Sequence, residues 1–240
     1  MQYGHFDDDA REYVITRPDT PRSWSNSLGS RLYGGIITQN AGGYSFYKSG
    51  GLGRILRFRF NGVPEDQPGR YIYLRDDADG DYWSASWQPV GKPLGEYKAT
   101  VRHGLGYSIF ESEYRGIRSE TTYLVPDGQA FEYWSLKVTN TTDKPRTIST
   151  FSYAELANEW NYKQDLENLQ YSQYVVLAHY KDGVIHRRNS TRDAFRENWF
   201  GLVGADVASF DTDRDAFLGP YRTQAAPLAV ERGVCSDTQT

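Results

Sequence analysis

A chain of 240 residues is long enough to bury a sizeable core, as one large β domain or two small ones. A net charge of −4 argues against general affinity for nucleic-acid phosphates or anionic lipid. No segment approaches the roughly 20 apolar residues of a membrane span, and the polar start MQYGHFDDD lacks the apolar run of a signal peptide. The one cysteine, Cys235, has no intrachain partner. Together these features lead to a cytoplasmic expectation, in which the sequons at Asn140 and Asn189 carry no glycan. Aromatic residues make up 15% of the chain, so core and clefts lean on large amphipathic rings that favour strands and suit sugar faces.

In chain order, the first expected strand is Arg11 to Thr16. The stretch NAGGYSFYKSGGLGR, Asn40 to Arg54, follows as a glycine-rich loop with three embedded rings. It does not fit a phosphate cradle, because RILRFRF after it alternates like a strand, predicted over Ile55 to Phe60, where a helix would be needed. Gly50, Gly51 and Gly53 then form a turn, while Gly42 and Gly43 let the backbone turn tightly. Further strands are expected over Tyr71 to Arg75, Ser108 to Tyr114, Ile117 to Val125 and Val175 to Tyr180, with Asp79-Gly80 and Arg115-Gly116 as punctuation.

The clearest strand is Phe131 to Asn140, after a turn at Val125-Pro126-Asp127-Gly128. Trp134, Leu136 and Val138 fall on one face, and Tyr133, Ser135 and Lys137 on the other. Thr142-Asp143-Lys144-Pro145 hands over to a strand at Arg146 to Tyr153. Glu155 to Gln170 is compatible with a helix but too polar to settle it, and is read as strand end plus long loop. No internal repeat, low-complexity tail or domain boundary is visible. The pattern is all-β, a large antiparallel sandwich over residues 1–240. Arg232 to Thr240 stop without a closing strand, so the chain is expected to be truncated at its C-terminal end.

Motif by motif, chemistry is scarce. Asp211 to Asp215 has Ala216 and Arg222 where a calcium loop needs glycine and glutamate, and Asp77 to Asp81 has Gln88 at the twelfth place. Both read as solvated turns, and no metal is expected. The histidines at 5, 103, 179 and 186 lack ligand spacing, and His103 reads as a structural hydrogen-bonding residue near a turn. No nucleophile elbow is present, and no carboxylate spacing singles out an acid and a base. Tyr82, Trp83 and Trp87, in DYWSASWQP, alternate as along a strand; core packing is the main reading, and a carbohydrate platform the other.

The blocks YGHFDDDAREYVITRPDTPRSW, NAGGYSFY, GDYWSASWQPV, RHGLGYS, DTDRDAFLGPYR and PLAVERGVCS run in order through nearly the whole chain. They resemble the amino-terminal region of bacterial cellobiose and chitobiose phosphorylases, glycoside hydrolase family 94. The resemblance implies a supersandwich-like β domain that, in the family, precedes a helical linker, a helical barrel and a small C-terminal β domain. It implies cytoplasmic homodimers that cleave a β-linked disaccharide with inorganic phosphate, inverting the anomeric centre to give an α-sugar 1-phosphate. One carboxylic acid suffices, because phosphate replaces the water of an inverting glycosidase. The acid and the phosphate-binding residues lie in the barrel, so no catalytic residue is expected in this chain, which alone should be inactive. Phosphate is a co-substrate, and no cofactor is implied.

By motif position, the resemblance gives two segments to the acceptor subsite of the partner subunit. These are Ala41 to Tyr47, with Ser45 and Tyr47, and Asn161 to Gln173, with Asn161, Gln170 and Tyr171. Cellobiose phosphorylases carry a Gln-Arg pair where this chain has Gln170-Tyr171. A guanidinium offers a fixed fork of donors, whereas a phenol offers one hydroxyl and a flat face. The blocks NLQYSQ, DQPGRYIYLRDD and DYWSASWQPVGKPL resemble the cellobionic acid branch more than the cellobiose one, with chitobiose as another option. Two readings from other classes compete: a stand-alone carbohydrate-binding module without catalysis, and a purely structural dimerisation piece.

Overall fold

The computed structural model describes residues 2–58, 65–157, 176–189 and 197–239. The expected strands form, except that at Ile55 to Phe60, with boundaries shifted by a residue or two, and others join them. The first seven are β1 (Gly4–Asp7), β2 (Glu12–Ile15), β3 (Ser25–Gly29), β4 (Tyr33–Thr38), β5 (Gly43–Tyr47), β6 (Arg70–Asp76) and β7 (Tyr82–Ser84). Next come β8 (Lys98–Gly104), β9 (Tyr107–Tyr114), β10 (Ile117–Leu124), β11 (Tyr133–Asn140) and β12 (Ile148–Ala154). The last three are β13 (Val176–Lys181), β14 (Val184–Asn189) and β15 (Glu197–Gly201). All their pairings are antiparallel, in a six-stranded sheet ordered β1-β2-β8-β9-β10-β11 and three-stranded sheets β3-β4-β5, β12-β6-β7 and β13-β14-β15.

Period-two alternation explains the large sheet. In β9 and β10 every second side chain is buried, and Phe110 and Tyr123 pack with Ile15, Leu28, Ile37 and Val101 between this sheet and β3-β4-β5. Farther along the same face, Tyr114 and Ile117 meet Ile72, Leu74 and Trp83 of the β12-β6-β7 sheet. Trp134 and Leu136 pack there as expected, whereas Val138 is exposed. Strand β6 differs because both its faces are covered: Tyr71 and Tyr73 turn the other way, against Phe217, Leu218, Ala229 and Val230. A strand buried on two sides reads as a continuous apolar run, and YIYL is one.

Those last four residues lie on two short helices that the sequence pattern did not announce, α1 (Arg214–Leu218) and α2 (Leu228–Arg232). Asp213, read as part of a turn, caps α1 by accepting from the Asp215 N–H, and Gly233 closes α2 in the left-handed conformation. Each helix is little more than one turn, too short for a periodic signal, and stands by packing on β6.

Three further expectations change. The stretch Ala41 to Tyr47 is not a loop throughout: Gly43–Tyr47 is strand β5, and only the turn before it bends the chain. Gly43 has φ +101°, and a Cβ there would lie 2.2 Å from the Ile36 carbonyl oxygen. The predicted strand at Ile55 to Phe60 is, in its described part, reduced to the single bridge of Leu56 with Leu156, just after that of Arg54 with Phe46. The carbonyl of Ser45 accepts from both Ile55 and Leu56, which breaks the ladder register. In DYWSASWQP the strand ends at Ser84, since Trp87 sits at φ +67° in a turn.

The β3-β4-β5 sheet is fastened to β6 by one fully buried cation. Arg70 reaches the main-chain oxygens of Ile36 (3.0 Å) and Tyr44 (2.9 Å) and pairs with Glu132 through Nε (2.5 Å) and Nη2 (3.1 Å). The Trp134 indole N–H donates to the same carboxylate at 2.7 Å. Burial alone would lower the guanidinium pKa, but Glu132 outweighs it and raises it above the ordinary value. Glu132→Ala leaves that charge buried without its counter-ion, so unfolding free energy should fall by about 3–5 kcal/mol. Urea denaturation monitored by tryptophan fluorescence reads the loss, and a change below about 1 kcal/mol would sink this account.

Candidate functional site

Strand β5 carries two of the residues that the family resemblance assigned to an acceptor subsite. Alternation puts positions 45 and 47 on the same face of β5, and they differ because Ser45 lies within the strand under core cover whereas Tyr47 is its last residue. Ser45 is wholly buried, its hydroxyl 2.8 Å from the Tyr33 hydroxyl, so in this chain it cannot be offered to a ligand across an interface. Tyr47, at the end of the strand, is 39% exposed with the Lys48 ammonium 5.0 Å from its ring centroid. Asn161, Gln170 and Tyr171 lie outside the described residues.

The glycine-rich stretch after β5 is a closed turn. The N–H groups of Leu52 and Gly53 donate to the Ser49 carbonyl and that of Gly51 to the Ser49 hydroxyl. Arg54 donates to the Gly50 carbonyl and lies 4.0 Å from the Tyr44 ring centroid. Amides spent on the turn itself leave no cradle for a phosphate, in keeping with the sequence reading.

Beyond the turn, residues 54–57 run between β5 and the chain leaving β12. Ile55 and Leu56 donate to Ser45 on one side, while Arg57 donates to the Glu155 carbonyl and Ala157 to that of Ile55 on the other. Residues 54–57 thus link the AGGYSFY strand to the chain after β12, while the second assigned segment, Asn161 to Gln173, lies outside the described residues.

At that junction sits a buried carboxylate that sequence reasoning missed. Glu155 accepts from the Tyr153 hydroxyl (2.6 Å), Gln224 (2.8 Å), Arg214 Nε (3.1 Å) and Arg57 Nη1 (3.2 Å). Burial would raise its pKa, but Arg214, the Tyr153 hydroxyl and Arg57 prevail and hold it below the ordinary glutamate range. A carboxyl so held is a poor proton donor, and its place is structural: it ties β12 to residues 54–57 and to α1. The only signal in the sequence was its position just after the run FSYA.

Glu155 lines a cavity of about 220 Å³, walled by Leu156, Val176, Ala178, Arg187 and Phe217 among others. Pockets that enclose a drug-sized ligand start near 300 Å³, so this one falls short of a disaccharide. Trp83 of the suggested carbohydrate platform is fully buried, and Tyr82 and Trp87 pack against the core; core packing accounts for all three. His103 holds Ser108 at 2.8 Å through Nδ1, and burial pushes its imidazole down to about 4, so it is a neutral structural ring. Among the described residues no group of His, Cys, Asp or Glu is arranged to hold a metal ion, and no helix is long and apolar enough to cross a membrane.

The architecture is that of a large, multi-sheet antiparallel sandwich in which the carboxylates of Glu132 and Glu155 are engaged in holding it together. The family described as Glycosyl hydrolase 94, supersandwich domain matches residues 11–240, and the chain belongs to it. The N,N'-diacetylchitobiose phosphorylases of Vibrio proteolyticus and Vibrio furnissii are each 46% identical over 239 residues, 99% of this chain. The solabiose phosphorylase of Paenibacillus borealis is 29% identical over 98% of the chain. A cellobionic acid phosphorylase from Neurospora crassa matches at 30% over only 40% of it. The chain spans 30% of the length of the two Vibrio proteins, corresponding to their N-terminal part.

Because the folded-state pKa of Glu155 is depressed, its contribution to stability is present above the unfolded value and lost as pH falls through the folded one. Below about pH 4 the wild-type chain should therefore lose stability more steeply than Glu155→Gln, which should itself be weaker by about 2–4 kcal/mol at pH 7. Urea midpoints at pH 7 and pH 3 check this; parallel losses in both proteins would refute the role.

Proposed function

We propose that the chain is the N-terminal supersandwich domain of an inverting disaccharide phosphorylase of the chitobiose type. The observation that carries the reading is 46% identity over essentially the whole chain to N,N'-diacetylchitobiose phosphorylases, against a partial match to the cellobionic acid enzyme. This moves the substrate preference away from cellobionic acid and cellobiose. The change at Gln170-Tyr171 is compatible with it, because a phenol presents a flat face where the cellobiose enzymes present a guanidinium fork.

In this reading the reaction is disaccharide plus phosphate to α-sugar 1-phosphate plus sugar, run in the cytoplasm by a homodimer. The acid and the phosphate site belong to polypeptide beyond this domain. The domain's part is to support the dimer and to complete the acceptor subsite of the partner subunit. Tyr47 is the described candidate for that, being partly exposed at the end of β5, and Tyr171 is the second. Inorganic phosphate is the co-substrate.

The test uses the polypeptide extended to the length of the Vibrio relatives. Phosphate-dependent release of sugar 1-phosphate should be at least about tenfold faster in kcat/KM with N,N'-diacetylchitobiose than with cellobiose or cellobionate. Equal or reversed preference would refute the chitobiose assignment, and no phosphorolysis of any of them would refute the phosphorylase reading. In the synthetic direction Tyr171→Ala and Tyr47→Ala should raise the acceptor Michaelis constant several-fold; a constant unchanged in either variant removes that residue from the subsite.

A further inference from the structure

The three-stranded sheet β13-β14-β15 has two unlike faces. Ala178 and Arg187 are buried beneath it, and Phe200 meets the Trp134 ring at 5.4 Å, so that face rests on the body of the domain. The other face carries a row set by register: His179 lies opposite His186, and His186 opposite Trp199. The two imidazoles stack with centroids 5.0 Å apart and planes 7° from parallel. The indole stands edge-on to His186 at 6.3 Å. A second row beside it holds Leu177, Arg188 and Glu197.

Trp199 is 66% exposed, and two neighbours support its orientation. Its indole N–H donates to Glu197 Oε2 at 3.2 Å, and the same oxygen lies 3.8 Å from His186 Nδ1. A large ring supported in one orientation in water, with ionisable donors and acceptors on either side, is organised before any ligand arrives.

We propose that this face is an accessory carbohydrate-binding platform, on which the indole of Trp199 stacks against the apolar face of a β-pyranoside. Glu197, His179, His186 and Arg188 surround the ring with groups that can bond its hydroxyls or acetamido oxygen. Size favours this occupant over a protein. The open part of the indole amounts to roughly 100–150 Å², the footprint of one sugar ring, whereas a stable protein partner needs about 800 Å² on each side. Polar flanks likewise suit a ligand with a hydroxylated rim better than a hydrophobic partner. The inference shares the carbohydrate class of the proposed function but stands on its own site, and its failure would leave phosphorolysis by the longer protein untouched.

The test is a titration of the chain with methyl β-D-glucoside and with N-acetylglucosamine, followed by the Trp199 indole N–H resonance and by calorimetry. Saturable millimolar binding that shifts this resonance is expected, weakened about tenfold or more in Trp199→Ala and less in Trp199→Phe. Circular dichroism verifies that the variants fold, and the wild-type resonance reports on the site without any substitution. No shift at saturating sugar, or equal affinity in wild type and Trp199→Ala, would overturn the proposal. Dimerisation of the chain that Trp199→Ala abolishes would overturn it too, as would loss of acrylamide access to Trp199 in the extended polypeptide.

Discussion

Arg70 is the constraint on which the sandwich turns. A guanidinium with no exposure has to find acceptors for a fan of donors, and here they come from main-chain oxygens of the β3-β4-β5 sheet and from Glu132 before β11. Satisfying it fixes where the small sheet sits relative to β6 and where the β10-β11 hairpin begins. Tyr123, whose hydroxyl donates to the Arg70 carbonyl at 3.0 Å, adds the large sheet to the same point. A hydrophobic substitute could fill the volume, but it would not dictate which three elements meet.

From that fixed point the site follows. Strand β5 is held on one edge by β4 and on the other by residues 54–56, and Glu155 secures the next layer. Two buried ion pairs, at Arg70 and at Glu155, thus lie toward the start of the strand that carries Tyr47 at its end.

The β character of the fold was legible because the long hairpins obey a local rule. Tyr107 to Leu124 alternates cleanly, and the turn at Pro126 to Gln129 forms with Gly128 at φ +71°. The short strands β1 and β3 and the helices α1 and α2 were not legible, since four or five residues carry too little periodicity and are decided by what they pack on. Ser45 illustrates the same limit at the site. A serine between two aromatic residues looks exposed, and only the pairing of Ser45 with Gly35, under the Tyr33 hydroxyl, turns it inward. Arg70 and Glu155 escaped notice because a charge beside an apolar run ordinarily marks where burial stops, whereas here burial continues past it.

The bridges of residues 54–56 along β5 bear on aggregation. An open strand edge is a template on which another chain can continue the sheet, and β5 would be such an edge in a three-stranded sheet. With Arg54 and Leu56 already seated beside it, its hydrogen-bonding groups are occupied from within the chain. Another copy of this domain therefore cannot extend that sheet at β5, so this edge is closed to strand addition without any help from a partner.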